Sequence, residues 1–116
     1  MPSKSPKRAA QDILYHIELA AHFAEGFDYA AFSNDLRTTY AVTRCLEIIS
    51  EASRRLPDEM KARHPAIPWK RVAGSGNIYR HDYEDVAARY VWETAQRDLP
   101  VLRDVILAEL ARLGGE

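Results

Sequence analysis

The run Val42-Thr-Arg-Cys-Leu-Glu-Ile-Ile-Ser-Glu-Ala-Ser-Arg-Arg-Leu-Pro57 decides the fold. Val42, Leu46, Ile49 and Leu56 recur at i, i+4, i+7 and i+14, with Cys45, Ile48 and Ala52 flanking the stripe. That is the period of a helix that buries one face, whereas a half-buried strand would alternate every second residue. Ser33 or Asn34 stands where a cap is needed, and Pro57 ends the helix or starts a last short turn.

The same period extends outward on both sides. Upstream, Ile13, Ile17, Ala20, Ala21 and Ala24 line a helix from Ala9 to Glu25, and Gly26 stops it. Phe27 to Phe32 reads as a short connector. Downstream, Pro65 and Pro68 mark a connector through His64 to Ile67, and a third helix starts about Trp69. A fourth begins at Glu84 or Asp85, with Val86, Tyr90, Val91 and Thr94 on one side. Asp98-Leu99-Pro100 reads as a restart, with Asp98 as N-cap and Pro100 in the first turn. Leu102, Val105, Ile106, Leu110 and Leu113 form the last stripe. No segment has a period of two and no repeat is visible. The expected architecture is all-α, an up-and-down bundle of four to five helices over 9–113 behind a flexible basic tail, 1–8.

Bulk properties narrow the function. A chain of 116 residues is one domain, and its 47% hydrophobic and 28% charged composition suits a water-soluble globule. No apolar run approaches the ~20 residues that span a bilayer, and the basic N-terminus leads into an amphipathic pattern instead of a signal peptide. A cytoplasmic address is the default expectation. Cys45 is the only cysteine, which excludes an intrachain disulfide and a cysteine-based zinc site. The HExxH helix, the Gly-x-Ser-x-Gly elbow and the phosphate loop with Lys-Ser/Thr are all missing, so neither metal nor cofactor is expected.

Charge is unevenly spread. Residues 54–81 hold seven Lys/Arg (Arg54, Arg55, Lys61, Arg63, Lys70, Arg71, Arg80) against two acids, whereas residues 1–53 and 82–116 are net acidic. This local positive field suits a phosphate-bearing ligand, with Lys70 and Arg71 as substrate-binding candidates; a solvated basic loop is the alternative. His64 is positioned to add to it.

Within that segment lies Gly74-Ser-Gly-Asn-Ile-Tyr-Arg-His-Asp-Tyr83. On a helix Asn77 and His81, four residues apart, share a face. An imidazole that titrates near neutrality beside an amide is an acid/base site in the making, although a capping or packing histidine has the same signature. Gly74 and Gly76 would each weaken a free helix by about 1 kcal/mol, which suggests close approach of a backbone or ligand. Arg44, Glu47 and Glu51 form a polar strip on the long helix. It is either plain solvent face or the wall opposite His81, with Glu51 orienting the imidazole and Arg44 meeting phosphate. His16 and His22, near the core side of the first helix, read as structural.

Arg44 through Pro57, Ile67-Pro-Trp69, Gly76 through Tyr83, Val91-Trp92 and Asp98-Leu-Pro100 together resemble the HepT-like branch of the HEPN superfamily, over about residues 10–113. The resemblance implies a helical bundle that dimerises through helices near the motif, so that two copies face each other across a cleft. It implies a metal-independent endoribonuclease acting as a toxin on RNA, partnered by a minimal nucleotidyltransferase-fold antitoxin. Carried over by position, His81 is the acid/base, Asn77 the polar motif residue and Tyr83 the acceptor of AMP from the partner. Gly76 occupies the place of the family arginine, so the cation is expected from Arg44, Arg80 or the second subunit. The alternative is a weakened module that binds RNA, nucleotide or the antitoxin without cutting.

Overall fold

The computed structural model describes residues 5–81 and 84–114, with the side chains of 76–81 and 84–86 outside that description. The described residues are all helical or connecting, with no strand. In chain order the helices are α1 (Pro6–Ala24), α2 (Tyr29–Ser33), α3 (Leu36–Ser53), α4 (Asp58–Ala62), α5 (Trp69–His81), α6 (Glu84–Glu93) and α7 (Leu99–Gly114). A π-helical turn, Thr94–Asp98, joins α6 to α7.

Local capping chemistry explains several differences from the sequence reading. α1 begins at Pro6, three residues before the apolar pattern, because Ser5 Oγ accepts from the Arg8 N–H and proline suits the first turn. It ends at Ala24, just before Gly26, whose φ of +81° is the left-handed geometry glycine adopts without steric cost. The expected connector 27–32 folds instead into α2, because Asp28 Oδ1 accepts from the Ala31 N–H at 2.8 Å. The cap of α3 is Asp35, not Ser33 or Asn34, and its carboxylate takes both the N–H and the hydroxyl of Thr38. Leu56 lies beyond the end of α3 yet remains buried, and Pro57 is the N-cap of α4.

The expected restart at Asp98 does not occur. Helical dihedrals continue through Glu93 and Leu99, and the Leu99 N–H reaches back five residues to the Thr94 carbonyl. Pro100 has no N–H to give the ladder and its ring crowds the carbonyl four residues back. One wide turn absorbs that misfit without breaking the helix, so Asp98 is a member of the π-turn and not a cap.

The core forms where α1, α3 and α7 meet. Ile13, Ile17 and Ala20 of α1 pack with Val42, Cys45, Leu46 and Ile49 of α3 and with Leu102 and Ile106 of α7. Burial pushes the Cys45 thiol up to about 11, so it is a small apolar side chain here and not a nucleophile. Phe32 of α2 is buried against Trp92 of α6, 5.1 Å between ring centres, and Arg89 lies over the Tyr29 ring at 4.4 Å.

One buried ionic cluster ties the α4 connector to α7. Glu109, only 4% exposed at its side chain, accepts from Arg63 Nε (3.1 Å) and Nη2 (2.6 Å) and from His64 Nε2 (2.6 Å). The Arg63 hydrogen bonds, opposed by burial and aided by His64, hold the Glu109 carboxyl down at about 2. His64 therefore belongs to this cluster and not to a basic patch. His22 is also moved from its expected place: it is exposed, with Nδ1 3.8 Å from Glu25. His16 is half-buried, with Nδ1 2.7 Å from the Asp12 carbonyl oxygen.

Candidate functional site

The helix that carries the motif is positioned from its N-terminal half. Trp69 Nε1–H donates to the carbonyls of Lys61 and His64, 3.0 Å each, which seats the start of α5 on the end of α4. One turn later the Ala73 carbonyl accepts from Ser50 Oγ at 2.9 Å and from Arg54 Nε at 3.1 Å. Ser50 is buried, so two side chains from the end of α3 converge on one carbonyl of α5 and tie the helices together. Ser75 Oγ donates back to the Val72 carbonyl at 2.8 Å.

Beyond this anchor α5 runs on through Gly76, Asn77 and Arg80 to His81, eight residues or about 12 Å of axis past Ala73. The helical backbone keeps Asn77 and His81 on one face. The side chains of Asn77, Arg80 and His81, and all of Tyr83, lie outside the described residues. Gly74 is exposed, and a Cβ there would meet nothing within 4 Å. Of the two approaches expected at Gly74, that of a backbone is not made by the described residues, and its face of α5 is open.

The remaining candidates are spread around this helix. Arg44 is 71% exposed on α3 and stands 3.6 Å from Glu47, itself half-buried. Glu51 and Lys70 are exposed. Arg71 reaches across to Asp98 of the π-turn, Nη2 to Oδ2 at 3.4 Å. The positive field of residues 54–81 is weaker than its count of cations. Arg55 pairs with Asp12 of α1 at 3.1 Å, Arg63 with Glu109 and Arg71 with Asp98. Among the described residues no three His, Cys, Asp or Glu converge as a metal site, and no helix is long and apolar enough to cross a membrane.

The grip of Ser50 and Arg54 on Ala73 is absent from the sequence reading. Its only sequence signal is weak: two polar residues four apart at the edge of the α3 stripe, where a surface residue would look the same.

Comparison with known proteins follows the same outline. The ribonuclease HepT-like family profile matches residues 13–108. A Thermococcus cleftensis protein named "Probable ribonuclease HepT" is 38% identical over 100 residues, covering 86% of this chain and 91% of its own. "Putative RNase MJ0125" of Methanocaldococcus jannaschii is 36% identical over 103 residues, 89% of each chain. No solved structure gives a significant match.

Proposed function

The chain belongs to the ribonuclease HepT-like family of the HEPN superfamily, and on that premise we propose that it is an endoribonuclease whose acid/base is His81. The observation that carries the proposal is the near full-length likeness to relatives named as ribonucleases, with the motif histidine at the end of an anchored helix. In the chemistry we infer, His81 takes the proton of a ribose 2′-hydroxyl. The 2′-oxygen then forms a bond to the adjacent phosphorus while the bond to the 5′-oxygen breaks, and that oxygen receives a proton. Negative charge grows on the phosphate oxygens, so a guanidinium is needed there.

With Gly76 in the family arginine's place, Arg44 is our choice for that cation. In an up-and-down bundle α3 and α5 would run antiparallel from the Ser50–Ala73 hydrogen bond, and helical rise would then bring Arg44 and His81 to similar heights, about 9 and 12 Å along their axes. Glu51 is exposed, which supports a surface role for it. Asn77 would orient substrate on the histidine's face, whereas helical periodicity sets position 80 about 100° around the axis from position 81.

The reading needs no metal. The purified chain is expected to cut 5′-labelled single-stranded RNA equally well with excess EDTA, followed on denaturing gels. Activity that vanishes with EDTA and returns with a divalent cation would overturn this part. RNA that is bound but never cut would favour the second reading, a binding module weakened by Gly76.

The toxin role, the antitoxin and the dimer extend the proposal. Leu36 and Tyr40, exposed a turn apart on α3, support a second copy packing there. Co-expression with a minimal nucleotidyltransferase-fold partner is expected to yield a complex containing a dimer by light scattering. Mass spectrometry should then find AMP on the peptide containing Tyr83. A chain that stays monomeric and unmodified beside an active partner removes these extensions.

A further inference from the structure

Beneath the Arg71–Asp98 ion pair lies a cavity of about 180 Å³ between α3, α5 and the π-turn. Its inner walls are apolar, built from Ile49, Ile67, Val72, Leu99 and Leu102, with the buried Ser50 and Ser75 among them. An outer vestibule shares Arg71, Tyr90, Thr94 and Asp98 with the cavity and adds Glu93 and Arg97. Close-packed interiors leave few such voids, and a cavity of ~150 Å³ already admits a benzene ring. The chamber therefore suits one flat ring system whose body is apolar and whose edge is polar. The π-turn brings Thr94 and Asp98 to its mouth, and wide turns of this kind recur at binding sites.

We propose that this cavity is a guanine subsite for single-stranded RNA, an inference that rests on the ribonuclease reading above. The ring would sit against the apolar walls, and Asp98 would accept from its edge. The Arg71–Asp98 contact, 3.4 Å long and more than half exposed on both sides, is weak enough for a ligand to open. An ionised carboxylate offers acceptors only. Guanine alone among the four bases presents two adjacent donors, N1–H and N2–H, on its pairing edge. Adenine presents one donor beside one acceptor there, cytosine one donor beside two acceptors, and uracil one donor between two acceptors. Arg71, released from Asp98, would meet the flanking phosphate. From Ser75 to His81 is six residues, about 9 Å of axis, the reach of about two to three stacked nucleotides at ~3.4 Å each. The base read here would thus lie close to the bond cut.

The test titrates the intact chain with the four ribonucleoside 5′-monophosphates by calorimetry, and compares cleavage of RNA hexamers that differ at one base. GMP is expected to bind about tenfold more tightly than the other three, and Asp98→Asn should erase that preference. Val72→Trp, which fills the chamber, or Val101→Trp on its exposed rim should weaken GMP binding about tenfold while leaving the fold intact by circular dichroism. His81→Ala should keep the GMP preference while losing cleavage. Equal or absent binding of the four nucleotides, or a preference that survives Asp98→Asn, overturns the subsite. Cleavage without base preference would leave the ribonuclease reading standing and sink the subsite. A GMP preference in a wild-type chain that never cuts RNA would do the reverse.

Discussion

Replacing His81 with alanine is expected to lower RNA cleavage by about 100- to 10,000-fold with no loss of folded structure. The magnitude follows from the role: a positioned acid/base accelerates proton transfer by that range, and no neighbour on α5 carries an equivalent group near neutral pH. The fold should be indifferent, because the core of α1, α3 and α7 and the Trp69 and Ala73 anchors all lie elsewhere. Initial rates on labelled RNA, set beside thermal melting of both proteins, make the comparison. Arg44→Ala is expected to cost about 100- to 1,000-fold in the same assay, the usual consequence of removing one fixed donor to a charged transition state. If His81→Ala cuts as fast as wild type, the acid/base assignment falls. An Arg44→Ala enzyme of full activity moves the cation to Arg80 or to the second subunit.

Glu109→Ala should remove about 2–3 kcal/mol of unfolding free energy, since it deletes the charge-assisted hydrogen bonds that Arg63 and His64 make to a buried carboxylate. The deletion removes the buried carboxylate that Arg63 and His64 share against α7. Since domains of this size are stable by only about 5–15 kcal/mol, much of the fold's margin rests on this cluster. Urea titration of the two proteins at pH 7 reads the effect, and a midpoint within error of wild type would show that the cluster contributes nothing. Replacing Arg63 and Glu109 together with apolar residues should recover part of the loss, because the desolvated carboxylate then goes together with its bidentate partner.

The same cluster sets a pH dependence. The Glu109 carboxyl is held at about 2 against an ordinary 4.5, so at intermediate pH the unfolded chain binds the extra proton and the native state does not. Its contribution is complete above about pH 5, amounts to about 3 kcal/mol there, and is lost as pH falls through 4.5 toward 2. Wild-type stability should therefore decline over that window more steeply than that of the Arg63/Glu109 double replacement.

Much of this molecule is legible along the chain. The α3 stripe from Val42 to Ile49, the α1 stripe around Ile13 and Ile17, and the α7 stripe around Leu102 and Ile106 all pack as their period of 3.6 demands. Burial of one helix face is the dominant local constraint, and a single sequence displays it directly. The errors fall where short polar side chains decide between near-equal local conformations. Asp28 and Asp35 cap helices that hydrophobic pattern alone does not delimit, and Pro100 is accommodated by a π-turn in place of a break.

The candidate site divides the same way. His81, Asn77 and Tyr83 stand out as residue types in a spacing, and family membership follows from the order of motifs along the chain. What those motifs face depends on partners far away in sequence. Ser50 and Arg54 hold Ala73 across 23 and 19 residues, and Arg63 and His64 meet Glu109 across about 45. The cavity under Arg71 and Asp98 has walls from three separate stretches. Helical periodicity is local and so is written in the sequence itself. Hydrogen-bond partners, burial of a carboxylate and the shape of a void come into being only when distant segments pack, and the tertiary structure alone decided them.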